Sequence, residues 1–139
     1  MNEKDEVYMR LALAQAQQGA QAGEVPVGAV LVYQDHVIAQ AYNQPIALSD
    51  PSAHAEILVL RQAGQYVNNY RLLDCVLYVT LQPCMMCMGA IQHARIKCVV
   101  FAAPDEKEAV NHGVSYHGGV LGEESALILK AFFRQRRRG

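Results

Sequence analysis

His54 and Glu56 stand two residues apart in "HAEI", and Cys84 and Cys87 follow thirty residues later as the C-x-x-C of "PCMMC". A catalytic zinc needs three protein ligands and an open fourth position for water, and one histidine with two cysteines supplies that set. Two thiolates and a neutral imidazole cancel the charge of one Zn2+ per chain, while the pKa of a coordinated water falls toward about 7. Glu56 has no place in the ligand set but stands beside it, where a general acid/base belongs. Each element also has a plainer reading. A C-x-x-C pair alone fits a thiol redox couple, although that leaves His54 and Glu56 unexplained. Cys75 and Cys98 lie within apolar runs and read as small core residues. His36, His93 and His117 read as ordinary solvated or satisfied side chains.

These residues need elements to hold them. "VYMRLALAQAQQGAQAG" predicts a first helix with Val7, Leu11, Ala14 and Gln18 near helical spacing and an end at Gly23. "VGAVLVYQDHVIAQAY" reads as a hairpin turning at Gln34-Asp35. In "LSDPSAHAEILVLRQAG", Ser49 or Asp50 is the expected cap of a second helix, with Pro51 in its first turn and Gly64 as its stop. "CVLYVT" is a buried strand that delivers Pro83 to a helix carrying Cys84 and Cys87 one turn apart. "KCVVFAA" and "GVSYHGGV" are strands, and "LGEESALILKAFFRQRRR" closes the chain as an amphipathic helix. This order predicts a three-layer α/β/α domain over residues 1–139, with a five-stranded mixed sheet and both chemical motifs at helix starts.

Length and composition agree with one folded domain: 139 residues, 52% hydrophobic and 18% charged. The opening "MNEKDEVYMR" carries acids where a secretory signal carries basic residues, and no apolar run is long enough to span a bilayer. The expectation is a cytoplasmic protein with no membrane partner, whose four cysteines serve metal chemistry rather than disulfides. Charge is distributed unevenly. Lys130, Arg134, Arg136, Arg137 and Arg138 crowd the last ten residues, leaving 7 basic against 13 acidic residues elsewhere. A basic tail on an acidic body points to an anionic partner such as nucleic acid; its plainer reading is a solvated helix end whose cations suit the C-terminal dipole.

H-x-E followed by P-C-x-x-C is the signature of zinc nucleobase deaminases. Beyond it, "EVPVGAVLV", "AYNQPIALSDPSAHAEI", "NNYRLLDCVLYVTLQPCMMCMGAIQHARIKCVVFAA" and "LILKAFFRQRRR" resemble the bacterial tRNA-specific adenosine deaminases nearly from end to end. That resemblance implies a cytidine-deaminase-like fold and a homodimer that converts the wobble adenosine of a tRNA anticodon to inosine. It implies zinc at His54, Cys84 and Cys87 and proton transfer by Glu56. It makes Asn43 a nucleotide-binding residue, with Val27, Ala55 and Leu81 as further substrate contacts, and sets Arg134, Arg136, Arg137 and Arg138 on the surface that meets RNA.

The chain departs from that family twice. Gln82 stands in "TLQPC" where the family reads T-L-E-P-C. Only Pro104 to Gly113 join the last two strands, where the family carries about a dozen further residues. So short a link permits a parallel or an antiparallel last strand. It also leaves other substrates open: single-stranded DNA, cytosine, or free bases. A partner subunit without catalysis would have no use for Glu56.

Overall fold

A computed structural model describes residues 3–105 and 114–138, the side chains of Arg137 and Arg138 excepted. Helix α1 (Glu3–Gln21) is followed by strands β1 (Gly28–Tyr33) and β2 (His36–Tyr42), then α2 (Ala55–Val67), β3 (Cys75–Leu81), α3 (Met85–His93), β4 (Cys98–Ala103), β5 (Ser115–His117) and α4 (Gly122–Arg138). The sheet runs β2-β1-β3-β4-β5. β1 is antiparallel to both β2 and β3, whereas β3, β4 and β5 are parallel, so the sheet is mixed as expected.

Strand periodicity builds the three layers. Alternate residues point to opposite faces, so Ala29, Leu31, Leu77, Val79, Val99 and Phe101 pack with Ala55, Val59, Met88 and Ile91 of α2 and α3. Val30, Val32, Tyr78, Val100 and Ala102 pack on the other face with Met9, Ala12 and Leu13 of α1 and Ile128 of α4. Gln34 and Asp35 turn the hairpin with φ of 48° and 64°, as a tight two-residue turn between twisted strands requires.

Three points about the helices follow from the structure, the last two correcting expectations from sequence. The stripe of Val7, Leu11, Ala14 and Gln18 is the exposed face of α1; Met9, Ala12, Leu13, Ala16 and Gly19 are buried instead. Ala12, Ala16 and Gly19 keep part of that stripe small because α1 lies very close to β1. A Cβ on Gly28 would stand 2.6 Å from the Ala16 backbone nitrogen. Second, α2 begins at Ala55 with His54 as its N-cap, not at Ser49, Asp50 or Pro51. The Asp50 carboxylate instead closes a turn on Ser52, accepting from its backbone N–H at 2.9 Å and its hydroxyl at 2.7 Å. Third, Gly64 does not stop α2, which continues to Val67 and ends on left-handed Asn68, φ 56°.

The last strand is parallel. Ser115, Tyr116 and His117 pair with Cys98, Val99 and Val100, which removes the antiparallel alternative. Of the linking segment Pro104 to Gly113, only Pro104 and Asp105 belong to the described residues.

Candidate metal centre

β3 passes between β1 and β4, and the chain leaves its C-terminal end through Gln82 and Pro83 directly into α3. Cys84 is the N-cap of α3 with extended backbone, φ −73° and ψ 172°, and His54 caps α2 in the same way with φ −71° and ψ 152°. Neither side chain makes a capping hydrogen bond. Both are therefore available to meet, and they do: His54 Nδ1 lies 3.6 Å from Cys84 Sγ and 3.4 Å from Cys87 Sγ. All three donor atoms fall within 4.8 Å of one another, the one such group among the described residues. Two helix N-termini face this point, and their dipoles favour negative charge there.

These contacts suit a tetrahedral zinc. Bond lengths of about 2.3 Å to sulfur and about 2.0 to 2.1 Å to nitrogen place such ligands roughly 3.6 Å apart. Cys87 is fully buried, and its thiol is pushed up by burial and then by the neighbouring Glu56 and Cys84. Without a cation this would be a poor place for thiolates; a divalent metal inverts that preference.

Glu56, in the first turn of α2, is 4% exposed. Burial raises its carboxyl to about 7, against smaller lowering contributions from its own backbone N–H and from Cys87. Its Oε1 is buried without a hydrogen-bond partner among the described residues. An orphaned buried oxygen is costly, and a carboxyl poised near neutrality beside soft metal donors has the properties of an acid/base group.

Asn43 ties this centre to the hairpin. Its backbone N–H donates to the Val27 carbonyl at 3.0 Å, and its Oδ1 accepts the Ala55 N–H at 3.1 Å. Three of the four expected substrate contacts, Asn43, Val27 and Ala55, are thus brought together next to His54. Leu81 ends β3 opposite Ala103, three residues before Cys84. Gln82 accepts the Asp105 N–H at 2.8 Å, holding the start of the shortened link. Glu24 was not singled out from sequence. It is buried, and its carboxylate accepts the backbone N–H groups of Ile46 at 3.1 Å and Ala47 at 2.8 Å.

Arg134 and Arg136 are exposed on α4. Arg136 also donates to the Gly23 carbonyl and lies over the Phe132 ring at 4.9 Å. The side chains of Arg137 and Arg138 lie outside the described residues. No described helix is long and apolar enough to cross a membrane.

The sequence profile of the cytidine and deoxycytidylate deaminase zinc-binding region matches residues 2–103. The chain belongs to this deaminase family. A tRNA-specific adenosine deaminase of Haemophilus influenzae is 45% identical over 98% of the chain and 87% of its own length. A solved structure from a study of A-to-I editing by tRNA:A34 deaminases at the wobble position of transfer RNA is 39% identical, with a TM-score of 0.85 over 88% of this chain and 99% of that one. The guanine deaminase of Bacillus subtilis is 38% identical, with a TM-score of 0.70 over 83% and 72% of the two chains. The expected zinc-dependent deaminase and its five-stranded α/β fold are thereby borne out, and the donor set fits the zinc that the deaminase family binds.

Proposed function

We propose that residues 1–139 form one deaminase domain that converts adenosine to inosine in a nucleic acid, first of all the wobble adenosine of a tRNA anticodon, with release of ammonia. The observation that carries this reading is the buried Glu56 carboxyl, its Oε1 without a hydrogen-bond partner, beside the His54, Cys84 and Cys87 donors. The substrate class rests on the likeness to tRNA-specific adenosine deaminases and on the basic end of α4.

His54 Nδ1 and the sulfurs of Cys84 and Cys87 would hold the zinc. Bound there, zinc supplies Lewis acidity that makes water a competent nucleophile near neutral pH. Glu56 would take a proton from the attacking water and deliver it to N1 of the purine as C6 is attacked. A second transfer by Glu56 helps the amino group leave as ammonia. Asn43 Oδ1 is already engaged by Ala55, which leaves its amide N–H groups to orient the nucleotide. Val27, Ala55 and Leu81 wall the base. The target base must be turned out of any stack to reach this depth, so a loop or single strand is the natural substrate. Arg134, Arg136, Arg137 and Arg138 attract its phosphates.

The working unit is a homodimer in the cytoplasm. Tyr66, Tyr70 and Met85 are 72%, 70% and 69% exposed. Tyr70 lines a groove of about 850 Å³ with Ile57, Leu60, Met86 and Ala90, between α2 and α3. An open apolar groove on that scale marks an interaction surface. Incubation of the zinc-loaded protein with tRNA, single-stranded DNA, free nucleosides and guanine, read by mass spectrometry, tests the proposal. Inosine in tRNA is the expected product. Deamination of guanine alone would favour a free-base reading like that of the guanine deaminase relative.

A further inference from the structure

The excursion between Asn43 and His54 has little apolar support of its own. Ile46 and Leu48, its largest apolar side chains, are 68% and 52% exposed. What closes it is hydrogen bonding: the Gln44 N–H reaches the Ala53 carbonyl at 2.9 Å, Leu48 N–H reaches Gln44, and Asp50 N–H reaches Pro45. Asn43 stands at its entrance and His54 at its exit, so any drift of the loop displaces both ends of the site. Glu24 is its buried tie to the body of the protein, while Asp50 meets Arg61 of α2 in a partly exposed ion pair at 3.5 Å. The acid is 2% exposed, and its two oxygens take separate amides, Ile46 N–H at 3.1 Å and Ala47 N–H at 2.8 Å. Glu24 is itself fixed by its N–H to the Gly19 carbonyl at 2.9 Å, where left-handed Gly23, φ 85°, ends the first helix. The next residue back, Gly23, accepts from Arg136. A cavity of about 320 Å³ beside Glu24 is lined by Asn43, Ile46, Phe132 and Arg136, so this corner shares Asn43 with the proposed nucleotide site.

We infer that Glu24 is a positioning residue: its buried carboxylate clamps the loop at Ile46 and Ala47 and so fixes the Asn43 amide, next to the Ala55 N–H, in the place from which it meets the nucleotide. A buried charge that bonds only to backbone amides specifies a conformation, because no neutral replacement of equal size offers two acceptors. Glutamine keeps one oxygen but turns an N–H2 toward the other amide. Aspartate is one methylene short.

The inference rests on the role proposed above for Asn43, so one arm of its test needs no substrate. In the zinc-loaded wild-type protein, the Ile46 and Ala47 amides should be protected from hydrogen exchange at least tenfold more than an unstructured chain. Glu24→Gln should abolish that protection, shift the Asn43 side-chain amide resonance, and leave one zinc per chain. Free exchange at both amides in the wild type, or an unmoved Asn43 signal in the variant, overturns the clamp even if no substrate is ever found. The kinetic arm uses whichever substrate the product assay identifies. Glu24→Gln should lower kcat/KM by about 10- to 100-fold, chiefly through KM, and should have no further effect in an Asn43→Ala background. Penalties that multiply, or a variant with a lower Tm and unchanged kinetics, would show that Glu24 serves stability alone.

Discussion

Cys87 Sγ stands 3.4 Å from His54 Nδ1, although 33 residues separate them in the chain. The contact exists because β3 follows α2 in the chain and leads straight into α3, and α3 packs against α2 on the same face of the sheet. Cys87→Ser and His54→Ala should each leave less than about a tenth of a zinc per chain after mild chelation, against one in the wild type, by elemental analysis. Loss of one ligand of three removes a large share of a binding free energy that is typically about 10 to 16 kcal/mol at structural zinc sites.

Glu56→Gln should separate chemistry from metal binding. The side chain is buried beside the donors but is not one of them, so zinc content should stay at one per chain. Turnover should fall by about 10² to 10⁴, the usual worth of a positioned acid/base. A variant that keeps turning over would remove Glu56 from the proton transfer.

Tyr78 reports on pH. Its hydroxyl donates to Asp5 Oδ1 at 2.7 Å across the α1 and β3 interface, and burial first, then this bond, holds its ionisation well above the usual tyrosine range. A raised folded-state value means that the stabilisation is complete below the unfolded value of about 10 and is lost as pH rises through the folded one. Tyr78→Phe should therefore cost about 1 to 2 kcal/mol at pH 7. The gap from wild type should close above pH ~10 in urea titrations.

Gly28→Ala should be severe. The added carbon meets backbone atoms of Ala12 and Ala16, and next the Gln15 Cβ, none of which a rotamer change can move, so α1 must lift from the sheet. Overpacking costs typically about 1 to 3 kcal/mol, and a backbone clash belongs at the upper end. A lowered denaturant midpoint with unchanged slope is the expected result.

The basic tail is testable through salt. Replacing Arg134, Arg136, Arg137 and Arg138 with alanine should reduce the slope of log K against log salt by up to about 3 for a single-stranded ligand, at roughly 0.7 per phosphate contact. Arg136→Ala alone should also loosen α4, because that side chain holds Gly23 and covers Phe132.

The chemical residues were legible in the sequence because metal chemistry fixes both residue type and spacing, and helix starts tolerate little variation in either. The buried face of α1 was not. Met9 and Leu13 share that face with Ala12, Ala16 and Gly19, which carry little hydrophobic signal, while the apolar Val7 and Leu11 face outward and confuse the pattern. Asp50, Pro51 and Ser52 imitate a helix cap because the same side-chain to backbone bonds serve turns and caps alike. Strand direction at β5 could not be read, since about ten residues permit either geometry. Glu24 carried no spacing signal; its one clue was an acid standing immediately before the apolar run "VPVGAVLV".

β1, β2 and β3, together with all three metal donors and both helices that present them, lie before residue 94. A chain emerging from the ribosome therefore holds every ligand once Cys87 is clear, while β4, β5 and α4 are still unmade. Domains fold as units, and Val99 and Phe101 of β4 share the core of Ala55, Val59, Met88 and Ile91, so the two helices that present the donors find their full support only when β4 is made. The two thiols are thus translated before the strands that complete the packing beneath them, and for that interval they are exposed to whatever oxidant or metal the chain meets.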